Sequence, residues 1–430
     1  MIYLDYAGST PVLPELLEHY NSITAKYWGN PSAIHPVGRL AKSELELSRL
    51  KILDILGVSR ETHNLVFTSN ITEANHLALK PFTVAATPSS SNGNGGNEDK
   101  IPLVRGQSEA LGVARGQAFR LGGSGEVYEP TSNPILYSNL EHDSILKNIN
   151  DLEEKNRVKL DLEGTIDLAD LEAKITNGIK LICIQSVNNE IGTIQPLKEI
   201  QVLVDKINLI RGQEGVPKLY IFSDSAQAPN WISLKEIMQN VDILSLSSSK
   251  IYAPKGAGCL IFNKEINLNA ELKGGQQESG VRAGTENVAG ISTFTKALEI
   301  SQNDLDINVQ NALELRDNLV SLITQSNPEI SINGFFEESD FKKRVANNLN
   351  IFIPKINIDQ ILTFLSLQNV CVSSGSNCQS GATKESLLIK EIGNKQVGAN
   401  LRISLGILTT KEEIIEFAKI LSASIQKLAA

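Results

Sequence analysis

The chain has 430 residues, 41% of them hydrophobic, which exceeds what one core usually serves and predicts two soluble globular domains. A formal charge of −9 and an isoelectric point near 5.3 argue against nucleic-acid binding as the main activity, because phosphate binding draws on clustered lysine and arginine. There is no apolar run of about 18 residues, no signal or transit leader and no CxxC pair among the four cysteines, so a cytoplasmic, reducing setting without disulfides, metal ligands or a membrane span is expected.

In chain order, Arg39 to Leu56 carries helical periodicity and stops at Gly57. Asn64-Leu-Val-Phe-Thr-Ser69 reads as a strand, and Thr68-Ser-Asn-Ile-Thr72-Glu73 opens a helix after it. The backbone N–H groups and the Thr72 hydroxyl there suit either a phosphate at the positive helix end or an ordinary N-cap. Residues 83–132, containing Ala-Ala-Thr-Pro-Ser-Ser-Ser-Asn-Gly-Asn-Gly-Gly, break the composition. Such a segment buries too little apolar surface to offset its ordering entropy, so a disordered insertion is expected, with a partner-binding element as the other reading.

His142, in Asn139-Leu-Glu-His142, and Asn189, in Val187-Asn-Asn189-Glu-Ile-Gly192, stand at further strand ends, where a histidine alone also reads as surface or core filler. Lys180 to Val187, Lys218 to Asp224 and Val241 to Ser247 are apolar runs of strand length, and Pro196 to Leu209 between them is a helix with proline at its first position. The alternation predicts an α/β fold with a largely parallel central sheet and a crevice at the carboxyl ends of its strands. Lys411 to Leu428 reads as a surface helix packing one face.

Two of these runs carry paired chemistry. A lysine amine can form a Schiff base with the aldehyde of pyridoxal phosphate (PLP), and a carboxylate beside the pyridine nitrogen keeps it protonated so that the ring accepts electrons. Lys250 follows Val241-Asp-Ile-Leu-Ser-Leu-Ser-Ser-Ser, and Asp224 ends Lys218-Leu-Tyr-Ile-Phe-Ser with Gln227 just beyond. Cys183, Cys259 and Cys371 lie in apolar, strand-like stretches and are expected to be buried structural thiols. Cys378, within Ser-Ser-Gly-Ser-Asn-Cys-Gln-Ser-Gly, lies in a small-residue loop, which suits either a nucleophile that moves between substrate and acceptor or an incidental exposed thiol.

Six segments together, Trp28-Gly-Asn-Pro-Ser32 with His35, Phe67-Thr-Ser-Asn-Ile-Thr-Glu73, Asn188-Asn-Glu-Ile-Gly192, Ser247-Ser-Ser-Lys-Ile-Tyr-Ala-Pro-Lys-Gly256, Arg282-Ala-Gly-Thr285 and Ser373-Ser-Gly-Ser-Asn-Cys378, resemble class V aminotransferase-type PLP enzymes. Within that type the likeness is to the cysteine desulfurases of the iron-sulfur and nitrogen-fixation group. It runs from Tyr3-Leu-Asp-Tyr to Arg402-Ile-Ser-Leu-Gly406, outside the insertion. The resemblance implies a fold type I homodimer. Each chain would have a large PLP-binding domain over 14–262 with a mainly parallel sheet flanked by helices, a smaller α+β domain over 263–430, and segment 1–13 joining them.

By the same resemblance Lys250 anchors the cofactor and shuttles the Cα proton, while His142 stacks on its ring and assists proton transfer. Asp224 would pair with the pyridine nitrogen and Gln227 with the ring hydroxyl. Ile71, Thr72, Ser247, Ser249 and, from the other subunit, Thr285 would serve the phosphate side; Asn189, near the cofactor, and Arg402 would grip the substrate carboxylate. Cys378 would take sulfur from L-cysteine as a persulfide, leave L-alanine, and pass the sulfur to an acceptor protein, either an iron-sulfur scaffold or a sulfur carrier. Ser249 stands where histidine is common, and Asn70-Ile71 where the phosphate turn usually reads Gly-Ala. Rival readings are a selenocysteine lyase or class V aminotransferase in which Cys378 accepts no sulfur, and a noncatalytic binding or scaffold relative.

Overall fold

The computed structural model describes residues 1–83, 134–149, 154–375, 386–393 and 397–429, so the segment 83–132 lies, apart from Thr83, outside the described residues. After a short first strand, β1 (Ile2–Tyr3), one sheet takes β2 (His63–Thr68), β3 (Ile135–Ser138), β4 (Arg157–Val158), β5 (Leu181–Cys183), β6 (Tyr220–Asp224), β7 (Ile243–Ser247) and β8 (Gly258–Asn263). Its order is β2-β8-β7-β6-β5-β3-β4. From β7 to β4 every pairing is parallel, and β8 runs antiparallel to both of its neighbours. This is the α/β architecture that the alternating runs predict.

The strands are apolar on both faces because helices cover both. Ile182 and Leu244 point into one core with Ile200 and Val204, whereas their neighbours Leu181 and Ile243 point into another with Leu77 and Ala78. The helix Val288–Asn303 also sends Ile291, Phe294 and Leu298 into the first of these cores.

A second sheet contains β9 (Ser331–Ile332), β10 (Asn348–Pro354) and β12 (Gly398–Ser404), with β11 (Val370–Cys371) pairing separately with β1. Leu349 faces Ile403 and Ile351 faces Leu401 in the antiparallel β10–β12 ladder. These side chains pack with Leu319 and Ile323 of the helix Leu305–Ser326 and with Phe417 and Leu421 of the helix Lys411–Ala429. The first residues stitch the two sheets together: Ile2 and Leu4 lie in the second core, and Tyr6 lies in the core of the large sheet.

Helix ends differ from the sequence expectation by a few residues, for local reasons. The helix Pro36–Ile55 starts early because His35 caps it by accepting from the Gly38 N–H at 3.2 Å. Pro196 is the N-cap of Leu197–Glu214 rather than its first residue, and that helix runs on until Gly215 takes the left-handed φ of 70°. Cys183 and Cys259 are buried as expected, but Cys371 is only half-buried, since Val370 takes the buried side of their two-residue strand and Cys371 the other. Among the described residues no helix is long and apolar enough to cross a membrane.

Gly406 follows β12 beneath the ring of Tyr6, where an added β-carbon would come within 2.2 Å of a ring carbon. Tyr6 cannot easily yield, since it is buried and its ring centroid lies 4.9 Å from that of Tyr3 and 6.0 Å from that of Tyr252. Gly406→Ala is therefore expected to destabilise the fold by about 1–3 kcal/mol, visible as a lower urea midpoint.

Candidate active site

A cavity of ≈ 480 Å³ opens at the carboxyl ends of the parallel strands and is walled by residues of both sheets. Asp224, the last residue of β6, is buried on its wall. The Ala226 N–H donates to Oδ1 at 3.0 Å and the side-chain amide of Asn75 donates to Oδ2 at 2.7 Å. Asn75 is itself fully buried, donates to Ser144 Oγ at 2.8 Å and accepts from Ser245 Oγ at 2.6 Å. Sequence reasoning missed Asn75. Its signal was an amide on the helix Ile71–Leu79 that shares its burial with the apolar Ala74, Leu77, Ala78 and Leu79.

His142 lies beyond β3 and caps the short helix Asp143–Leu146. Its Nδ1 accepts from the Ser144 N–H at 3.1 Å, which assigns the proton of the neutral ring to Nε2. The preceding residue, Glu141, is buried with Oε1 accepting from the Gln185 N–H at 3.0 Å, and burial pushes its carboxyl well above the usual carboxylate range.

Lys250 ends the tight turn Ser248–Lys250 that follows β7. Ser248 Oγ donates to Pro254 O at 2.7 Å and the Asn230 amide donates to Lys250 O at 3.1 Å, which fix this turn. Two residues on, Tyr252 takes φ 63°, a strained conformation for a bulky residue. It is held because its N–H donates to Thr10 Oγ1 at 2.8 Å and its hydroxyl accepts from the Ile407 N–H at 2.9 Å. Lys250 Nζ donates to Ala7 O at 2.9 Å and also to Gly8 O, and the Gln227 amide donates to Ala7 O at 3.0 Å. Burial lowers the Lys250 amine to about 8; Arg402 and Lys255 act in the same sense, Asp5 and Asp224 against it.

Arg402, on β12, is aligned by its N–H donating to Ser373 O at 2.7 Å. Its Nη1 donates to Asn189 O at 3.0 Å and its Nη2 to Asp5 Oδ1 at 2.6 Å. Its Nε is buried and has no partner among the described residues. Asn189 stands on the cavity wall beside it.

Ile71 lines the cavity, and Thr72 follows it, exposed. Asn70 caps this helix by accepting from the Glu73 N–H at 3.0 Å, at an extended φ of −170° that any residue can adopt, so asparagine is accommodated where glycine is usual. The amides of Ile71 and Thr72 have no partner among the described residues. Ser247 Oγ lies 3.3 Å from Ser249 Oγ. Ser247 pairs in the sheet with Gly258, whose missing side chain lets Asn70 approach: a β-carbon there would lie 3.0 Å from the Asn70 carbonyl carbon. These hydroxyls therefore flank the Asn70–Thr72 turn rather than line the cavity wall.

Thr285 is exposed and does not line this chain's cavity. It follows a loop in which Glu278, Ser279 and Gly280 take φ of 47°, 59° and 81°, held by Glu278 Oε1 accepting from Arg49 Nη2 at 2.8 Å. Cys378 lies outside the described residues, while Ser373, Ser374 and Gly375, which lead towards it, line the cavity.

The residues present fit PLP. An amine shifted towards neutrality, a held carboxylate, an imidazole and the start of a helix meet at one cavity, and the orphaned Nε of Arg402 leaves a buried donor for a ligand oxygen.

The class-V aminotransferase family pattern matches residues 2–89 and 97–417. "Cysteine desulfurase IscS" of Dictyoglomus turgidum is 30% identical over 433 aligned residues, covering 99% of this chain and 95% of that one. The protein of the same name from Methanosarcina thermophila is 29% identical, covering 99% and 92%. Among solved structures, a NifS-like protein from Rickettsia africae superposes with a TM-score of 0.76 at 25% identity, covering 99% of each chain. Another NifS-like protein gives 0.76 at 24% identity over 99% of this chain and 100% of its own.

In protein freed of cofactor, Lys250 should lose its proton with a midpoint near 8, against the ordinary lysine value of 10.5. Labelling by an amine-reactive reagent at a series of pH values, with mass analysis of the Lys250 peptide, checks this. A midpoint above about 10 would contradict a desolvated amine on which burial and Arg402 outweigh Asp5 and Asp224.

Proposed function

Because the chain belongs to the class-V aminotransferase family, whose members use PLP, we propose that it is a homodimeric cysteine desulfurase, converting L-cysteine to L-alanine and taking the sulfur onto Cys378. The observation that carries this reading is the meeting of Lys250, Asp224, Arg402 and the stretch leading to Cys378 at one cavity. Bound PLP would supply the electron sink for the substrate Cα.

In this reading Arg402 and Asn189 bind the substrate carboxylate and orient the amino acid. Lys250 anchors the cofactor. An amine near 8 is partly neutral at physiological pH, so Lys250 can also take the Cα proton and return it. Asp224, held by Asn75 and Ala226, would pair with the ring nitrogen and Gln227 with the ring hydroxyl, and His142, with its proton on Nε2, would lie against the ring. The turn with Ile71 and Thr72, together with Ser247 and Ser249, would hold the phosphate, and Thr285 would be supplied by the second subunit. Exposure of the apolar side chains of Trp28 (73%) and Ile34 (89%), close together in the chain, supports such a subunit contact.

The Cys378 thiolate then attacks the substrate sulfur. The Cβ–S bond breaks, a sulfur–sulfur bond forms on Cys378, and L-alanine leaves, so L-cysteine plus thiol becomes L-alanine plus persulfide with atoms in balance. The persulfide would pass to an iron-sulfur scaffold or a sulfur-carrier protein in the cytoplasm.

The deciding experiment is incubation with L-cysteine alone and mass analysis of the Cys378 peptide. We expect one added sulfur and a matching yield of L-alanine, and no added sulfur in Cys378→Ser. Alanine and free sulfide with an unmodified Cys378 would favour a lyase. Asp224→Asn should slow Cα proton exchange of L-alanine in heavy water by about 10²–10⁴-fold, the span of an acid–base contribution; a loss under about tenfold would mean that this carboxylate does not face the ring.

A further inference from the structure

The carboxylate of Asp5 has no role in the reaction described above, yet among the described residues it is ion-paired with Arg402, the proposed binder of the substrate carboxylate. Asp5 Oδ1 lies 2.6 Å from Arg402 Nη2. The two partners are not equally enclosed, since the Arg402 side chain is 7% exposed and that of Asp5 28%. A buried guanidinium without a counter-charge is strongly unfavourable, so something must face Arg402 before substrate arrives.

The acceptors around Arg402 differ in how readily they can leave. Nη1 donates to the backbone carbonyl of Asn189, which cannot withdraw unless the turn Asn188–Gly192 moves. Nη2 donates to a side chain on rotatable bonds. The Asp5 backbone is fixed, its carbonyl accepting from the Gly8 N–H at 3.0 Å and from the Tyr3 hydroxyl at 3.1 Å. Its carboxylate has room only because residue 8 is glycine: a β-carbon there would lie 2.6 Å from Asp5 Oδ2. The result is a tethered carboxylate at the position an amino-acid carboxylate would take.

We propose that Asp5 is a specificity-determining placeholder for the substrate carboxylate, occupying Arg402 in the empty site and giving up Nη2 when an α-carboxylate enters. The proposal rests on Arg402 being the carboxylate-binding residue. It makes the affinity for free amino acids a competition between two carboxylates, one of them tethered. Entry by a ligand without a carboxylate leaves the Asp5–Arg402 pair in place.

Asp5→Asn tests this, because the amide oxygen can still accept from Nη2 while the competing charge is gone. Dissociation constants for L-alanine and L-alanine methyl ester would be measured from the visible spectrum of the holoenzyme, and Lys250 labelling from the cofactor-free protein. We expect L-alanine to bind about three- to tenfold tighter than in wild type, the scale of a partly exposed charge pair, with the ester changed by less than about twofold. The Lys250 midpoint should fall below its wild-type value, because Asp5 and Asp224 oppose the lowering by Arg402 and Lys255 and one of those two anions is removed. Unchanged or weaker L-alanine binding, an equal gain for the ester, or an unmoved Lys250 midpoint would each overturn the placeholder role. Arg402→Gln separates the two levels: loss of the preference for L-alanine over its ester upholds Arg402 as the carboxylate site, and retention of that preference removes the basis for both assignments.

Discussion

The carbonyl oxygens of Ala7 and Gly8 accept hydrogen bonds from Lys250, and Ala7 O also accepts from Gln227; the rest of the site depends on this crossing of the N-terminal segment over the cavity floor. Residues 2–6 place apolar side chains in the cores of both sheets, and Ser404 N–H donates to Leu4 O at 2.8 Å. The segment is therefore fixed at both edges before it reaches Lys250. Without its carbonyls, a largely desolvated amine would have lost its water without regaining acceptors. The strained Tyr252 serves the same join, since its N–H and hydroxyl tie the lysine turn to Thr10 on one side and Ile407 on the other.

Desolvation sets the charges around this floor, and its sign depends on the group. Burial pushes Lys250 down towards neutrality and Glu141 up towards the protonated acid, two shifts that both remove charge from the cavity surroundings. Asp224 is placed differently. It receives two N–H donors, one from the backbone and one from the buried amide of Asn75, which fix the direction of its carboxylate into the cavity. Asn75 in turn reaches Ser144, whose N–H fixes the imidazole of His142, so one amide coordinates the orientation of both groups.

The two departures from the usual motif residues are absorbed in different ways. Asn70 occupies a cap at an extended φ, where glycine has no conformational advantage, and its side chain takes over a helix-start N–H. Ser249 keeps a hydroxyl within 3.3 Å of Ser247, but it brings no charge to that side of the cavity. Any electrostatic hold on an anion there falls to the helix start and to neighbouring hydroxyls.

The chain's own pattern determined a great deal: the alternation of apolar runs with helical segments specified the α/β sheet, because a strand covered on both faces must be apolar throughout. Lys250, Asp224, Gln227, His142 and Asn189 stand out in the sequence because they fall at or just past the ends of such runs, and parallel strands bring those ends to one cavity, whereas Arg402 lies inside the antiparallel strand β12 and stood out only through the family resemblance. The tertiary structure alone decided that Asn75 holds Asp224 and that Asp5 faces Arg402, partners 149 and 397 residues apart in sequence. No local periodicity encodes such contacts. They arise from the packing of the helix Ile71–Leu79 on β6 and β7, and from the return of β12 beside the N-terminal segment.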